Sequence, residues 1–401
     1  MRLAARVADI GTETAFEAAA RARAVESSGR HVIHLEIGEP DFDTPAPIRE
    51  AAKRALDDGW THYAPSPGMP ELREAIAADA TRRKGFAVDP ANVIVTPGAK
   101  PIIFYALLAL VEPGDEVVYP DPGFPIYESM ARFAGARPRP IPLREENGFR
   151  MDADELRGLV NDRTRLIIFN SPQNPTGSVL SGEDLQAIAE LALERDITVL
   201  ADEIYGRILY EGEHQSIAAL PGMAERTIVL DGFSKTYAMT GWRLGYGIVP
   251  PDLVAAFTRL VINSVSCTSS HSQLAAVEAL TGPQDAVEAM VGEFRGRRDL
   301  IVEGLNRIPG FRCLRPQGAF YVFPNIAGTG LSGSELAERL LDEGGVSVLA
   351  GTAFGRTGRD YLRLSYANSP GNITLALEQI EAVVGGLGLS TPAKAASPAR
   401  V

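Results

Sequence analysis

Lys235 and Arg243 share the stretch FSKTYAMTGWR (233–243), a connector rich in Gly, Ser and Thr between the apolar runs TIVL (227–230) and LGYGIV (244–249). A solvated loop is the bland reading of two cations placed there. An anion site combined with an amine nucleophile is the sharp one. An arginine, the hydroxyl of Ser234 and a helix N-terminus would together hold a phosphate dianion. A lysine desolvated beside that positive charge has a depressed pKa and can attack an aldehyde. Gly98 and Ala99 make a small-residue turn before a helix that begins near Lys100. Backbone N–H groups at such a turn favour phosphate, although most such turns bind nothing. Asp202 closes the apolar run ITVLA (197–201). A buried carboxylate there needs a cation or a hydrogen-bond donor, and taken alone it reads as a cap or turn residue.

These residues need elements to aim them. NVIVTPG (92–98) reads as a strand ending at a turn, followed by a largely apolar helix over 101–111. DEVVYP (115–120) is a strand and PIYESMARFAG (125–135) a helix. RPRPIPL (137–143) is extended, and its prolines assign it to a sheet edge. TRLIIFN (164–170), DITVLADE (196–203), RTIVLDG (226–232) and LGYGIV (244–249) are further strands, with a helix over 182–195. Continuous apolar strands separated by helices imply an α/β domain whose sheet is mostly parallel and covered on both faces. In such a sheet the strand exits line the ligand crevice. The exits carry GAK (98–100), NPTG (174–177), DEIY (202–205) and SKTYAMTGWR (234–243). Helices over about 253–280 close this region. Beyond GPQD (282–285), a long charged helix (288–308) opens a smaller α+β portion. There FRCLRP (311–316) and GAFYVFP (318–324) read as paired strands, VSVLAG (346–351) and YLRLSYA (361–367) as strands, and 332–344 and 373–387 as helices. The expected division is an N-terminal segment (1–45) packing on the small domain, a large domain (46–285), a C-terminal small domain (286–389) and a disordered tail (390–401).

Bulk properties exclude other classes. A length of 401 residues suffices for two domains, and 45% hydrophobic with 22% charged residues is ordinary for a globular enzyme. A net charge of −12 argues against a nucleic-acid or anionic-membrane surface. The five histidines form no HxxxH or HExxH pattern, and Cys267 and Cys313 form no CxxC, so no metal site and no disulfide framework is expected. No apolar run approaches the roughly 20 residues of a membrane helix. Without a leader pattern at the N-terminus, the expected compartment is the cytoplasm.

The phosphorylated aldehyde that would require all of these parts is pyridoxal 5′-phosphate, whose ring nitrogen needs a carboxylate to stay protonated. The chain resembles the fold-type I pyridoxal-phosphate enzymes of the class I/II aminotransferases, and within them the bacterial aspartate/prephenate branch. The matching pieces run nearly end to end: IGEPDFDTP (37–45), THYAPSPGMPELREAI (61–76), VTPGAK (95–100), PGDEVVYPDPGF (113–124), NSPQNPTG (170–177), ADEIYGRILYEG (201–212), FSKTYAMTGWRLGY (233–246), PQGAFYVFP (316–324) and YLRLSYA (361–367). The resemblance implies a large domain with a seven-stranded, mostly parallel sheet, and a homodimer. It makes Lys235 the Schiff-base lysine and the acid–base that moves the proton of the substrate Cα. It pairs Asp202 with the pyridine nitrogen and sets Tyr205 and Asn174 on the ring's phenolic oxygen. It gives the phosphate to Ser234, Arg243 and the backbone of Gly98, Ala99 and Lys100, with Tyr63 reaching over from the neighbouring subunit. It stacks Phe124 on the ring. It assigns the substrate α-carboxylate to Arg363, a planar fork able to bind it bidentately, with a backbone contact from Gly38.

Substrate choice stays open. In the aspartate/prephenate branch a lysine at the position of Lys100 can bind a distal carboxylate; as an ordinary first-turn lysine it would do nothing of the kind. Pro101 and the stretch PDPGFPIYESM (120–130) depart from the usual pattern, so neutral, aromatic and basic side chains remain candidates beside aspartate and glutamate. The leading function is amino transfer from an L-amino acid to a 2-oxo acid with ping-pong kinetics. The alternative is a lyase or biosynthetic enzyme using the same lysine and breaking another Cα bond. A DNA-binding ligand sensor is disfavoured by the acidic chain and by the lack of a helix-turn-helix pattern before Ile37.

Overall fold

The structure, a computed structural model, describes residues 2–7 and 10–387, so the tail expected over 390–401 lies outside the described residues. In chain order the strands are β1 (Ile33–His34), β2 (Val93–Thr96), β3 (Glu116–Asp121), β4 (Arg137–Pro142), β5 (Thr164–Asn170), β6 (Thr198–Asp202), β7 (Thr227–Gly232) and β8 (Gly245–Ile248), followed by β9 (Tyr321–Val322), β10 (Val346–Ser347), β11 (Leu349–Ala350) and β12 (Leu362–Ser365). Seven of them form one sheet in the order β2-β8-β7-β6-β5-β3-β4. Every neighbouring pair is parallel except those of β8, which runs antiparallel to both β2 and β7. The proline-rich β4 lies at the edge, where missing N–H donors cost no ladder bonds.

Both faces of this sheet are buried, which explains the unbroken apolar strands. Successive side chains point to opposite faces. Leu166, Ile168, Leu200 and Leu230 therefore enter one core cluster, and Ile167, Phe169, Val199 and Ala201 enter another. Helices Lys100–Leu110 and Ile126–Phe133 line the first face, and Gly182–Arg195 the second. The last of these helices starts with a capping box between Ser181 and Asp184, which satisfies two of its orphan donors reciprocally.

The C-terminal portion has a three-stranded sheet, β11-β12-β9, antiparallel throughout, and β1 adds to β10 in parallel. Two expectations fail here. FRCLRP is not a strand: it makes one isolated antiparallel bridge, Arg312 to Asn325, while β9 pairs with β12 instead. The side chain of Asn306 explains the difference. Its Oδ1 accepts from the Cys313 N–H at 2.8 Å and its Nδ2 donates to the Cys313 carbonyl at 2.9 Å, so a side chain serves the backbone groups that a ladder would have used. VSVLAG, expected as one strand, is divided between β10 and β11, which belong to different sheets.

Candidate active site

The carboxyl ends of β5, β6 and β7 open into a cavity of about 560 Å³. It is lined by Gly38, Ala99, Lys100, Phe124, Asn174, Asp202, Tyr205, Ser234, Lys235, Arg243 and Arg363, which come from seven separate stretches of sequence. Gly98 stands just behind that lining, against Arg243. Tyr63 is not in the cavity: it is 92% exposed and borders a separate depression with Trp60, His62 and Met69.

Lys235 follows the last residues of β7, and its Nζ donates to the Gly38 carbonyl at 2.6 Å. Burial lowers its pKa from 10.5 to about 8, with the Glu39 carboxylate opposing the shift and Arg363 and Lys100 reinforcing it. The amine is therefore partly unprotonated near neutral pH. Asp202 ends β6. The Tyr127 hydroxyl donates to its Oδ2 at 2.6 Å, and the Ile204 N–H to its Oδ1 at 3.2 Å. Burial raises its pKa to about 6; the two donors pull it down, and the neighbouring Asp231 and Glu203 push it up. A cation placed against Asp202 would remove that elevation.

Asn170, at the end of β5, ties this centre together. Its Nδ2 donates to the Asp202 carbonyl at 2.8 Å, and its Oδ1 accepts from the Asn174 N–H at 2.8 Å. That bond anchors the Asn174 backbone; the residue lines the cavity, and its buried Oδ1 has no partner among the described residues. The Tyr205 hydroxyl meets that of Tyr321 at 2.8 Å. Arg363, on β12, is 3% exposed. Its Nη2 donates to the Glu36 carbonyl, its Nε has no partner among the described residues, and its guanidinium lies 4.7 Å from the Tyr321 ring centroid and 5.1 Å from that of Phe354. A buried polar atom left unpaired costs about 1–3 kcal/mol, so the Asn174 oxygen, an acceptor, and the Arg363 Nε, a donor, suit a polar ligand.

Gly98, at φ +82°, precedes the helix Lys100–Leu110, and a Cβ there would lie 2.4 Å from Arg243 Nη2. Only glycine lets the guanidinium approach the helix N-terminus this closely. Arg243, Ser234 and those backbone N–H groups form a cationic cradle suited to an anion. Lys100 is not free: its ammonium pairs with Glu13 and lies 5.4 Å from the Phe124 ring centroid.

The sequence matches the model of the family described as aminotransferase class I and II over residues 30–380. The chain belongs to that family. This aminotransferase is 45% identical to an aspartate aminotransferase of Pyrococcus horikoshii over 357 residues, 88% of this chain and 91% of the relative. It is 43% identical to an aromatic-amino-acid aminotransferase of Thermococcus litoralis, over 88% of this chain and 92% of that one. The structure of the aspartate aminotransferase from Thermus thermophilus with maleate superposes with a TM-score of 0.92 at 40% identity, covering 96% of this chain and all of the other (100%). The protein is thus a pyridoxal 5′-phosphate-dependent aminotransferase of fold type I.

The residues present fit that cofactor. The class I/II aminotransferase cavity offers a buried carboxylate, a partly deprotonated lysine, an orphaned amide oxygen and a cationic helix N-terminus within one space. Several contributors escaped the sequence reading. Tyr127 sits inside a helix whose pattern reads as core. Asn170 looks like the end of a strand. Tyr321 is one aromatic among those of GAFYVFP. Glu13 comes from a segment with no motif. Of these, Asn170 and Tyr321 lie in stretches that carried a signal, NSPQNPTG and PQGAFYVFP; Tyr127 and Glu13 do not.

Proposed function

We propose that this aminotransferase takes the amino group from an L-amino acid and gives it to a 2-oxo acid in two half-reactions at the one cavity, with Lys235 as its acid–base. The observation that carries the reading is the convergence of Lys235, Asp202, Asn174 and Arg363 on a single space. Bound there, pyridoxal phosphate supplies an electron sink for the pair released when the Cα–H bond breaks. Lys235 would hold the cofactor aldehyde at rest and, once its amine is freed by substrate, carry the Cα proton. Asp202, aimed by Tyr127, would keep the ring nitrogen protonated. Asn174 and Tyr205 would hydrogen-bond the phenolic oxygen, and Phe124 would cover one ring face. Ser234, Arg243 and the backbone N–H groups of Ala99 and Lys100, with Gly98 giving Arg243 its room, would hold the phosphate. Arg363 would grip the α-carboxylate and Gly38 would add a backbone contact, fixing the Cα–H bond for removal.

The active unit in this reading is a homodimer, in which the exposed Tyr63 reaches the partner's phosphate site. In the same reading 46–285 is the large domain and 286–389 the small one, its last two residues lying outside the described ones, and the pairing of β1 with β10 supports the packing of the N-terminal segment (1–45) on the latter. The unpaired Cys267 and Cys313 suit a reducing cytoplasm. No helix among the described residues is long and apolar enough to cross a membrane. A screen of amino donors and oxo-acid acceptors, following the cofactor's visible spectrum and assaying ammonia, tests the activity. Conversion by an amino acid alone without ammonia release supports amino transfer; stoichiometric ammonia would favour the lyase chemistry.

A further inference from the structure

The outer end of the cavity is built by two elements remote in sequence. Lys100 begins the helix Lys100–Leu110, and Glu13 immediately precedes the helix Thr14–Ser27. Their side chains form an ion pair and are 40% and 22% exposed. Apolar surface adjoins the pair: the Phe124 ring lies 5.4 Å from the Lys100 ammonium, and Ala15 and Phe16, next to Glu13 in the chain, line the same cavity. The pair belongs to the reaction site rather than to the outer surface, because Glu13 and Lys100 line the same cavity as Lys235, Tyr321 and Arg363.

A free ammonium in this position would attract a second carboxylate on the substrate. A paired one has spent that attraction. An incoming dicarboxylate must displace Glu13 from Lys100 and meets its negative charge at close range. An uncharged side chain meets neither obstacle and can lie on the rings and on the lysine methylenes. We propose that Glu13 is a specificity-determining residue that occupies Lys100 and so turns the enzyme toward amino acids with apolar or aromatic side chains and away from dicarboxylic ones. This inference rests on the aminotransferase reading and on Arg363 as the α-carboxylate site.

The test compares kcat/KM for aspartate and phenylalanine in wild type, Glu13→Gln and the double variant Glu13→Gln/Lys100→Ala, with maleate binding to each cofactor-loaded protein measured by calorimetry. A purely structural defect moves both substrates together, so the ratio is the informative quantity. Wild type favours phenylalanine. Glu13→Gln raises the aspartate-to-phenylalanine ratio and the maleate affinity by roughly tenfold or more, the scale of one charge-assisted hydrogen bond. The double variant loses that gain, because the freed ammonium is its source. Wild-type preference for aspartate, a ratio unmoved by Glu13→Gln, or a gain that survives removal of Lys100 would each overturn the proposal while leaving amino transfer intact. A preference for arginine or lysine would overturn it too, by making Glu13 a partner for a cationic side chain. Failure of every amino acid to alter the cofactor spectrum would overturn this inference and the aminotransferase reading together.

Discussion

An amine attacks a carbonyl only when unprotonated, and Lys235 sits where burial favours that form. Its pKa of about 8 implies a reactivity that climbs through neutral pH and levels off above 8. In the cofactor-free protein, modification of Lys235 by a limiting acylating reagent, read by mass spectrometry of its peptide, is expected to be half-maximal near pH 8. An ordinary lysine would still be gaining at pH 10. The same shift has a consequence for stability. The folded value lies below the unfolded one, 10.5, so the unfolded chain holds a proton that the folded chain sheds between pH 8 and 10.5. Stability therefore rises across that window. Cofactor-free Lys235→Met should be more stable than wild type at pH 7, by about 1–3 kcal/mol, and the difference should shrink toward pH 10. Denaturant melts at the two pH values check both statements.

Elements hold these residues in place through a buried charge cluster behind the site. Lys84 ends the helix Pro70–Lys84, and its fully buried Nζ donates to Glu203 at 2.6 Å and to Asp231 at 2.8 Å. Glu203 also accepts from Ser216 at 2.6 Å and meets His214 at 2.8 Å. These contacts join the exit of β6, beside Asp202, to β7. Removing one partner of a buried pair costs about 3–5 kcal/mol. Lys84→Met should therefore lower the denaturation midpoint by that equivalent with an unchanged slope. Lys84 and its other partners hold the Glu203 carboxyl far below 4.5, so the stability it confers is full above that pH and fades as pH falls beneath it. The gap between wild type and Lys84→Met should narrow on acidification.

The alternation of strand and helix was legible because strands buried on both faces must be continuously apolar, as TRLIIFN and TIVL are. FRCLRP misled because composition cannot reveal that the Asn306 side chain would satisfy its backbone. Lys235 could be picked out because it shares a polar connector with Arg243 between two apolar runs, and Asp202 because it closes one; Arg363 stood out only through the resemblance that YLRLSYA carries. Glu13 could not: its partner lies 87 residues away and nothing local marks either as half of a pair.

For the whole molecule, Tyr63 raises the question of completeness, since within one chain it stands apart from the cavity and almost wholly exposed. If the partner supplies it, a mixed dimer of Tyr63→Ala and Lys235→Ala chains concentrates both defects in one site and leaves the other intact. Co-refolding the two variants should then restore about half of wild-type activity per mixed dimer, although Lys235→Ala alone is inactive and Tyr63→Ala alone is weakened. Activity no higher than the mean of the two parents would show that Tyr63 serves its own chain or none.

Every role proposed for the cavity depends on the ε-amine of Lys235 bonding to the cofactor aldehyde. Borohydride reduction of the cofactor-loaded protein, followed by digestion and mass spectrometry, reads that bond directly. The expected result is a phosphopyridoxyl mass fixed on the peptide that contains Lys235 and absent from the Lys235→Ala protein. An unmodified Lys235 peptide from fully loaded enzyme, or the label on another lysine, would contradict it.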